Sequence, residues 1–165
     1  MTDGPSLHLT WLRDLSCWNR LDPPRPFHGI GTDQLVAVYP LDLRKTNAVA
    51  IAAFFEPIRA ACCKVVNEDV PIIIGSAFRP VEYDHAAGGV SGWHPRAGAI
   101  DMWTPAKFKA RGLTSATLRS VILDLDRAGQ IPTLGGLGIY DWGCHGDIRP
   151  RVDGKIVQWD YRTAA

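Results

Sequence analysis

No apolar run in the sequence approaches the roughly 20 residues that a membrane-spanning helix requires. The first residues, Met1 to Pro5, lack the basic-then-apolar order of a secretory signal. A membrane role is not expected, and the chain reads as a product synthesised in the cytoplasm. An excess of one charge is missing as well: 18 Lys and Arg face 17 Asp and Glu, for a formal net charge of +1. No net field draws such a protein to nucleic acid or anionic lipid, and no block of like charges suggests a tail. The four cysteines, Cys17, Cys62, Cys63 and Cys144, include no C-x-x-C pair, which excludes the usual spacing of structural zinc sites and dithiol redox motifs. Adjacent Cys62 and Cys63 read as free thiols filling core space on a helix, and Cys144 stands beside His145. Repeats, low-complexity tracts and flexible linkers are absent too. The 165 residues, 46% hydrophobic and 21% charged, fit one globular domain.

Residues 1–44 read as an N-terminal helix and a wrapping segment of that domain. Trp11, Leu12, Leu15 and Trp18 recur at helical spacing, and the prolines from Pro23 to Pro26 end the element. Residues 45–165 form the expected core. Asn47 is the expected N-cap of a helix reaching about Asn67, with Ile51, Phe54, Phe55, Ile58, Cys62 and Val65 on one face and Pro57 bending its interior. Val70 to Ile74 reads as a buried strand, and Glu82 to Ala87 as one helical turn closed by Gly88 and Gly89. In the strand Gly98 to Trp103, a period of two puts Ala99, Asp101 and Trp103 on one face and Ile100 and Met102 on the other. Thr114 or Ser115 caps a helix carrying Leu118, Val121, Ile122 and Leu125, and Gly129 stops it. Three short strands follow, near Gly136 to Tyr140, Cys144 to Ile148 and Lys155 to Trp159. Helices early and strands late predict an α+β fold with a small, mainly antiparallel sheet flanked by helices.

Two segments carry candidate chemistry. Ser91 to Trp103 holds His94 and Asp101, seven residues apart, and Gly138 to Arg149 holds His145. Two imidazoles and a carboxylate make three ligands, the number a catalytic zinc keeps when its fourth position must stay open for water. A loop folding back over the start of its strand brings His94 to Asp101; the third ligand must come from elsewhere in the chain. On its strand, His145 shares a face with Asp147 and Arg149, so a ligand, a carboxylate and a cation line one surface. His8 and His28 read as structural.

In order along the chain stand Ser76-Ala-Phe-Arg-Pro80, Tyr83-Asp84, Gly88-Gly89, His94 with Ala99 and Asp101, Gly136-Leu-Gly-Ile-Tyr140, His145-Gly-Asp-Ile-Arg149 and Trp159. Over residues 45–160 this series resembles the zinc D-alanyl-D-alanine carboxypeptidase and L-alanyl-D-glutamate endopeptidase family, which cleaves peptidoglycan stem peptides and shares its fold with the hedgehog signalling domain. The resemblance implies a hedgehog/DD-peptidase-like fold, with Zn2+ held by His94, Asp101 and His145. It also implies that Arg79 binds the substrate's carboxylate or carbonyl oxygen, a role its planar donors suit. Tyr140 and Trp93 are the other expected substrate contacts, although Trp93 either walls the pocket or simply packs.

The chain departs from the family pattern at several positions. The serine two residues before the first His is Gly92 here, and the glycine three residues after it is Ala97, which predicts a different path for the His94 loop. Family members often place a general base three or five residues before the last His, as Glu or His respectively; Trp142 and Tyr140 occupy those positions. Asp147 is the remaining candidate, either as catalytic base or as an acceptor that orients a ligand. Asp141 and His85 are the weaker alternatives.

The expected activity is zinc-dependent hydrolysis of peptidoglycan stem peptides, of carboxypeptidase or endopeptidase type, with a cell-wall peptide as partner. The missing base motivates an alternative, a non-catalytic structural or wall-binding component that keeps the fold and metal site. The lack of a signal fits a phage-encoded lysin or a component joined to other virion proteins, acting at the cell wall or periplasm.

Overall fold

One apolar stripe organises the fold. Ala48, Ile51, Phe54, Phe55, Ile58 and Cys62 recur at three- and four-residue spacing, and all are buried, so this segment gains most by presenting one helical face to a core. In the computed structural model, which describes residues 39–89 and 92–163, it forms helix α1, Leu41–Val66. The expected N-terminal helix and wrapping segment, with Cys17, His8 and His28, lie outside the described residues.

Helix α1 begins earlier than Asn47. Pro40, at φ −56° and ψ 145°, sets the entry, and Asp42 places negative charge in the first turn, where the helix dipole favours it. The division expected between residues 44 and 45 therefore falls inside α1. Asn47 is an interior residue whose Nδ2 donates to the Arg96 carbonyl oxygen at 2.8 Å, tying the helix to the loop that carries His94. The helix continues through Pro57 and ends at Asn67, whose left-handed φ of 51° lets its N–H reach the Cys63 carbonyl.

The next strand starts later than the apolar run suggests. Val70 and Ile72 are buried, but Pro71 has no N–H to give a ladder, and pairing begins only in β1, Ile73–Ser76. Opposite β2, Ala99–Trp103, the register slips between Ile74 and Ser76. This bulge inserts Gly75, whose missing side chain makes room for the Trp103 ring; a Cβ there would lie 1.9 Å from the ring. The slip sets Ser76 opposite Asp101.

Helix α2 spans Val81–Ala86, and the single turn α3 spans Ala106–Lys109. Helix α4, Ser115–Arg127, is capped by Thr114, whose side chain accepts from the Thr117 N–H, and buries the expected Leu118, Val121, Ile122 and Leu125. Strands β3, Gly136–Ile139, β4, Cys144–Asp147, and β5, Val157–Asp160, complete a five-stranded sheet in the order β1-β2-β4-β3-β5. All neighbours pair antiparallel except β3 with β5. The fold is α+β with a mainly antiparallel sheet, as the element order predicted.

The sheet has two unlike faces. Ile100, Met102, Leu137, Ile139 and Cys144 join Phe54, Ile58, Phe108 and Ile122 in one core. Cys62 is buried in that core and Cys63 lies at its edge, both as free thiols. The opposite face carries the polar residues of the two candidate segments.

Replacing Phe54, fully buried at the centre of α1, with Ala should lower unfolding free energy by about 3–5 kcal/mol. Urea denaturation followed by circular dichroism measures this; a loss near zero would remove α1 from the core.

Candidate metal centre

A single row of paired residues crosses the sheet on its polar face. Ser76 of β1 lies opposite Asp101 of β2, Asp101 opposite His145 of β4, His145 opposite Gly138 of β3, and Gly138 opposite Trp159 of β5. Strand periodicity thus delivers Asp101 and His145 as direct neighbours although 44 residues separate them. His145 Nδ1 stands 2.9 Å from Asp101 Oδ1.

His94 arrives from the turn before β2. Ala97 N–H returns to the His94 carbonyl at 2.9 Å, and Gly98 N–H to the Trp93 carbonyl at 2.8 Å. Ala97 takes φ 53°, so the left-handed bend is made by alanine, against a Cβ penalty of about 1–2 kcal/mol. The His94 carbonyl also accepts from the Arg79 N–H, and Asn47 holds Arg96 from behind. His94 Nδ1 lies 2.7 Å from the Ala77 carbonyl oxygen. A carbonyl only accepts, so Nδ1 carries a proton, and Nε2 faces Asp101 Oδ1 at 3.5 Å.

His94, Asp101 and His145 each offer one ligand atom, all within 4.8 Å of one another, and the two rings meet edge to face at 5.1 Å. This buried group can hold a metal ion. Each member also has an outer partner, the arrangement that fixes ligand orientation. Ala77 holds His94. Arg79 Nη2 holds Asp101 Oδ2 at 2.6 Å, leaving Oδ1 toward the imidazoles. His145 Nε2 lies 3.1 Å from Asp147 Oδ2.

Burial alone would raise the Asp101 carboxyl, but the His94 and His145 imidazoles hold it well below the usual carboxylate range. Burial alone would lower His145, yet Asp101 and Asp147 on either side bring it up to about 9. Burial opposes ionisation of Asp147 too, and hydrogen bonds from His145 and Arg149 bring it down to about 2.

Asp147 sits behind the centre. It is fully buried, and it accepts from the Arg149 backbone N–H at 3.0 Å, from Arg149 Nε at 2.8 Å, from Arg149 Nη2 and from His145. A carboxylate accepts about four hydrogen bonds, so these partners fill it. Its oxygens are thus directed at His145 and Arg149, and Asp147 does not line the cleft over the centre. Asp141 is exposed and bonded to Thr163, and His85 is exposed; neither lines the cleft over the centre.

That cleft measures about 600 Å³ and is lined by His94, Asp101 and His145 together with Arg79, Asp84, Tyr140, Trp142, Arg149 and Trp159, among others. Tyr140 stacks on Trp142 at 4.8 Å, and its hydroxyl accepts from Trp159 Nε1 at 3.1 Å. Gly138 makes this wall possible, since a Cβ there would lie 2.4 Å from Trp159 Nε1. Trp93 does not line the cleft. It packs over Gly98, with the Arg96 guanidinium 5.2 Å from its ring, because the turn directs His94 inward and its neighbour aside. Arg79 reaches the cleft with its nitrogens directed at Ser76, Asp84 and Asp101. Asp84 and Trp142 had no assigned part in the sequence reading. Asp84 is one helical turn from Pro80, and Trp142 sits in the β3–β4 turn, positions that strand periodicity does not reach.

Compared with protein-family models, curated proteins and solved structures, the chain has no significant match. Among the described residues, no helix is long and apolar enough to cross a membrane.

Replacing Asp147 with Asn should weaken binding of a divalent metal ion by about 10–100-fold, as measured by competition with a chromophoric chelator; unchanged affinity would count against an orienting role for Asp147. With His145 raised to about 9, a metal at Nδ1 displaces a proton at pH 7, so affinity should climb with pH until about 9. Calorimetry in buffers of different ionisation enthalpy should detect release of about one proton from this group; no release would contradict the assignment.

Proposed function

We propose that the protein is a zinc metallopeptidase of peptidoglycan stem peptides, with the hedgehog/DD-peptidase type of fold. The observation that carries this reading is the convergence of His94 Nε2, Asp101 Oδ1 and His145 Nδ1 in the lining of a cleft of about 600 Å³. Two nitrogens and one oxygen, each oriented from behind, fit a zinc ion that keeps an open position. When bound, zinc supplies Lewis acidity toward a carbonyl and makes water a nucleophile near neutral pH.

The chain supplies the rest. Arg79 fixes Asp101 and contributes positive charge beside the reacting carbonyl. Tyr140 accepts its hydrogen bond from Trp159, so its own proton is directed elsewhere. Burial raises its pKa against the opposing pull of that bond, which keeps it a donor suited to negative charge developing on the carbonyl oxygen. Besides Asp101, Asp84 is the carboxylate lining the cleft among the described residues. It meets Arg79 Nη1 at a loose 3.5 Å, and on this reading it takes the proton from water.

The alternative is a wall-binding protein that retains the metal without turnover. Its support is the aromatic pair Tyr140 and Trp142 where a base would stand, with Asp147 saturated behind His145.

Purified protein should contain about one zinc per chain and release fragments from muropeptides, and His94→Ala should lose both. Asp84→Asn should keep zinc and lose about 100-fold or more in turnover. Zinc retained with no cleavage across muropeptides of several cross-link types would favour the non-catalytic reading, and a metal-free, inactive wild type would sink the peptidase.

A further inference from the structure

The two arginines that reach the cleft are engaged differently. Arg79 directs Nε to Ser76 Oγ at 2.6 Å, Nη2 to Asp101 at 2.6 Å and Nη1 toward Asp84, so both edges of its guanidinium meet protein oxygens. Arg149 instead turns one edge to one carboxylate: Nε and Nη2 grip Asp147 side-on, at 2.8 Å from Nε to Oδ1. Its Nη1 has no hydrogen bond to the described residues, while the residue lines the cleft with its side chain 23% exposed.

The surroundings hold that guanidinium in place. Its carbon lies 4.6 Å from the centre of the Trp159 ring, a cation–π contact on one face. Gly136 lets the Asp147–Arg149 pair lie across β3, since a Cβ there would stand 2.5 Å from Asp147 Oδ1 and 2.6 Å from Arg149 Nε. A planar fork braced by an ion pair on one edge and an indole on one face presents its remaining edge, Nη1 with the second Nη2 proton, without having to be ordered first. A carboxylate takes such an edge bidentately.

We propose that Arg149, rather than Arg79, is the specificity-determining residue that receives a substrate carboxylate. The inference rests on the peptidase reading for the identity of the ligand as a peptide. The carboxylate is either the peptide's C-terminus or one carried within it.

The test uses three stem peptides: the free acid, the C-terminal carboxamide, and the peptide amidated at its internal glutamate carboxyl. Binding to the full chain is followed by calorimetry and by fluorescence of Trp159 and its neighbours. Wild type should bind the free acid about tenfold or more tighter than one of the two amides, and which amide loses affinity identifies the carboxylate. Arg149→Gln should erase that ratio and Arg149→Lys should reduce it. The ratio is taken within each variant, so a general loss of affinity cancels, and the Lys variant keeps a positive charge beside Asp147 if the Gln variant fails to fold. Equal binding of all three peptides by wild type, absence of binding, or a ratio that survives at residue 149 but vanishes in Arg79→Lys would overturn the proposal. An Arg149-dependent preference without cleavage would leave it standing and remove the peptidase, whereas cleavage indifferent to amidation would do the reverse.

Discussion

The pairing of β2 with β4 that sets Asp101 opposite His145 is the constraint on which the site depends. A slip of one residue by either strand would turn its side chain to the other face, leaving Asp101 and His145 on opposite sides of the sheet. The apolar members of the same strands resist such a slip. Ile100 and Met102 are completely buried on the far side, and their exposure would cost about 1.5–3 kcal/mol each. Hydrophobic burial on one face therefore fixes the geometry of the candidate metal ligands on the other. The bulge at Gly75 extends the row by bringing Ser76 into line with Asp101, where it accepts from the arginine that holds that carboxylate.

Around this row, charge is arranged in alternation. Arg79 lies against Asp101, Asp101 against His145, His145 against Asp147, and Asp147 against Arg149. Buried charges persist only when paired and hydrogen-bonded, and here each carboxylate meets partners on both of its oxygens. The two glycines of β3 supply the room: Gly136 beneath the Asp147–Arg149 pair and Gly138 beneath Trp159. A side chain at either position would push against the outer support of His145.

Much of this was legible in the sequence because it depends on period. The alternation in Ala99–Trp103 separated Asp101 from the core, and the His145, Asp147 and Arg149 spacing placed three polar groups on one face. What stayed hidden depends on contacts across the chain or on local backbone chemistry. Asn47 looks like a helix cap from its neighbours alone, and only the fold reveals its bond to Arg96. Pro71 delays β1 despite the apolar run around it. The number of donors that surround Asp147 is something no spacing records. Trp93 and His94 are adjacent in sequence but part company in a turn, where no strand or helix repeat governs direction.

The aromatic residues of the β3–β4 turn shape one side of the cleft. Tyr140 and Trp142 stack face to face, and Trp142 meets Trp103 edge-on at 6.0 Å, so the β3–β4 turn becomes a wall of the cleft. Under the peptidase reading, the proton acceptor must then approach from the other side, where α2 carries Asp84. The same Arg79 that grips Asp101 at 2.6 Å meets Asp84 at only 3.5 Å. A tight bond suits the carboxylate that must stay fixed as a ligand. The longer contact leaves the Asp84 carboxylate less tightly held by Arg79 than Asp101 is.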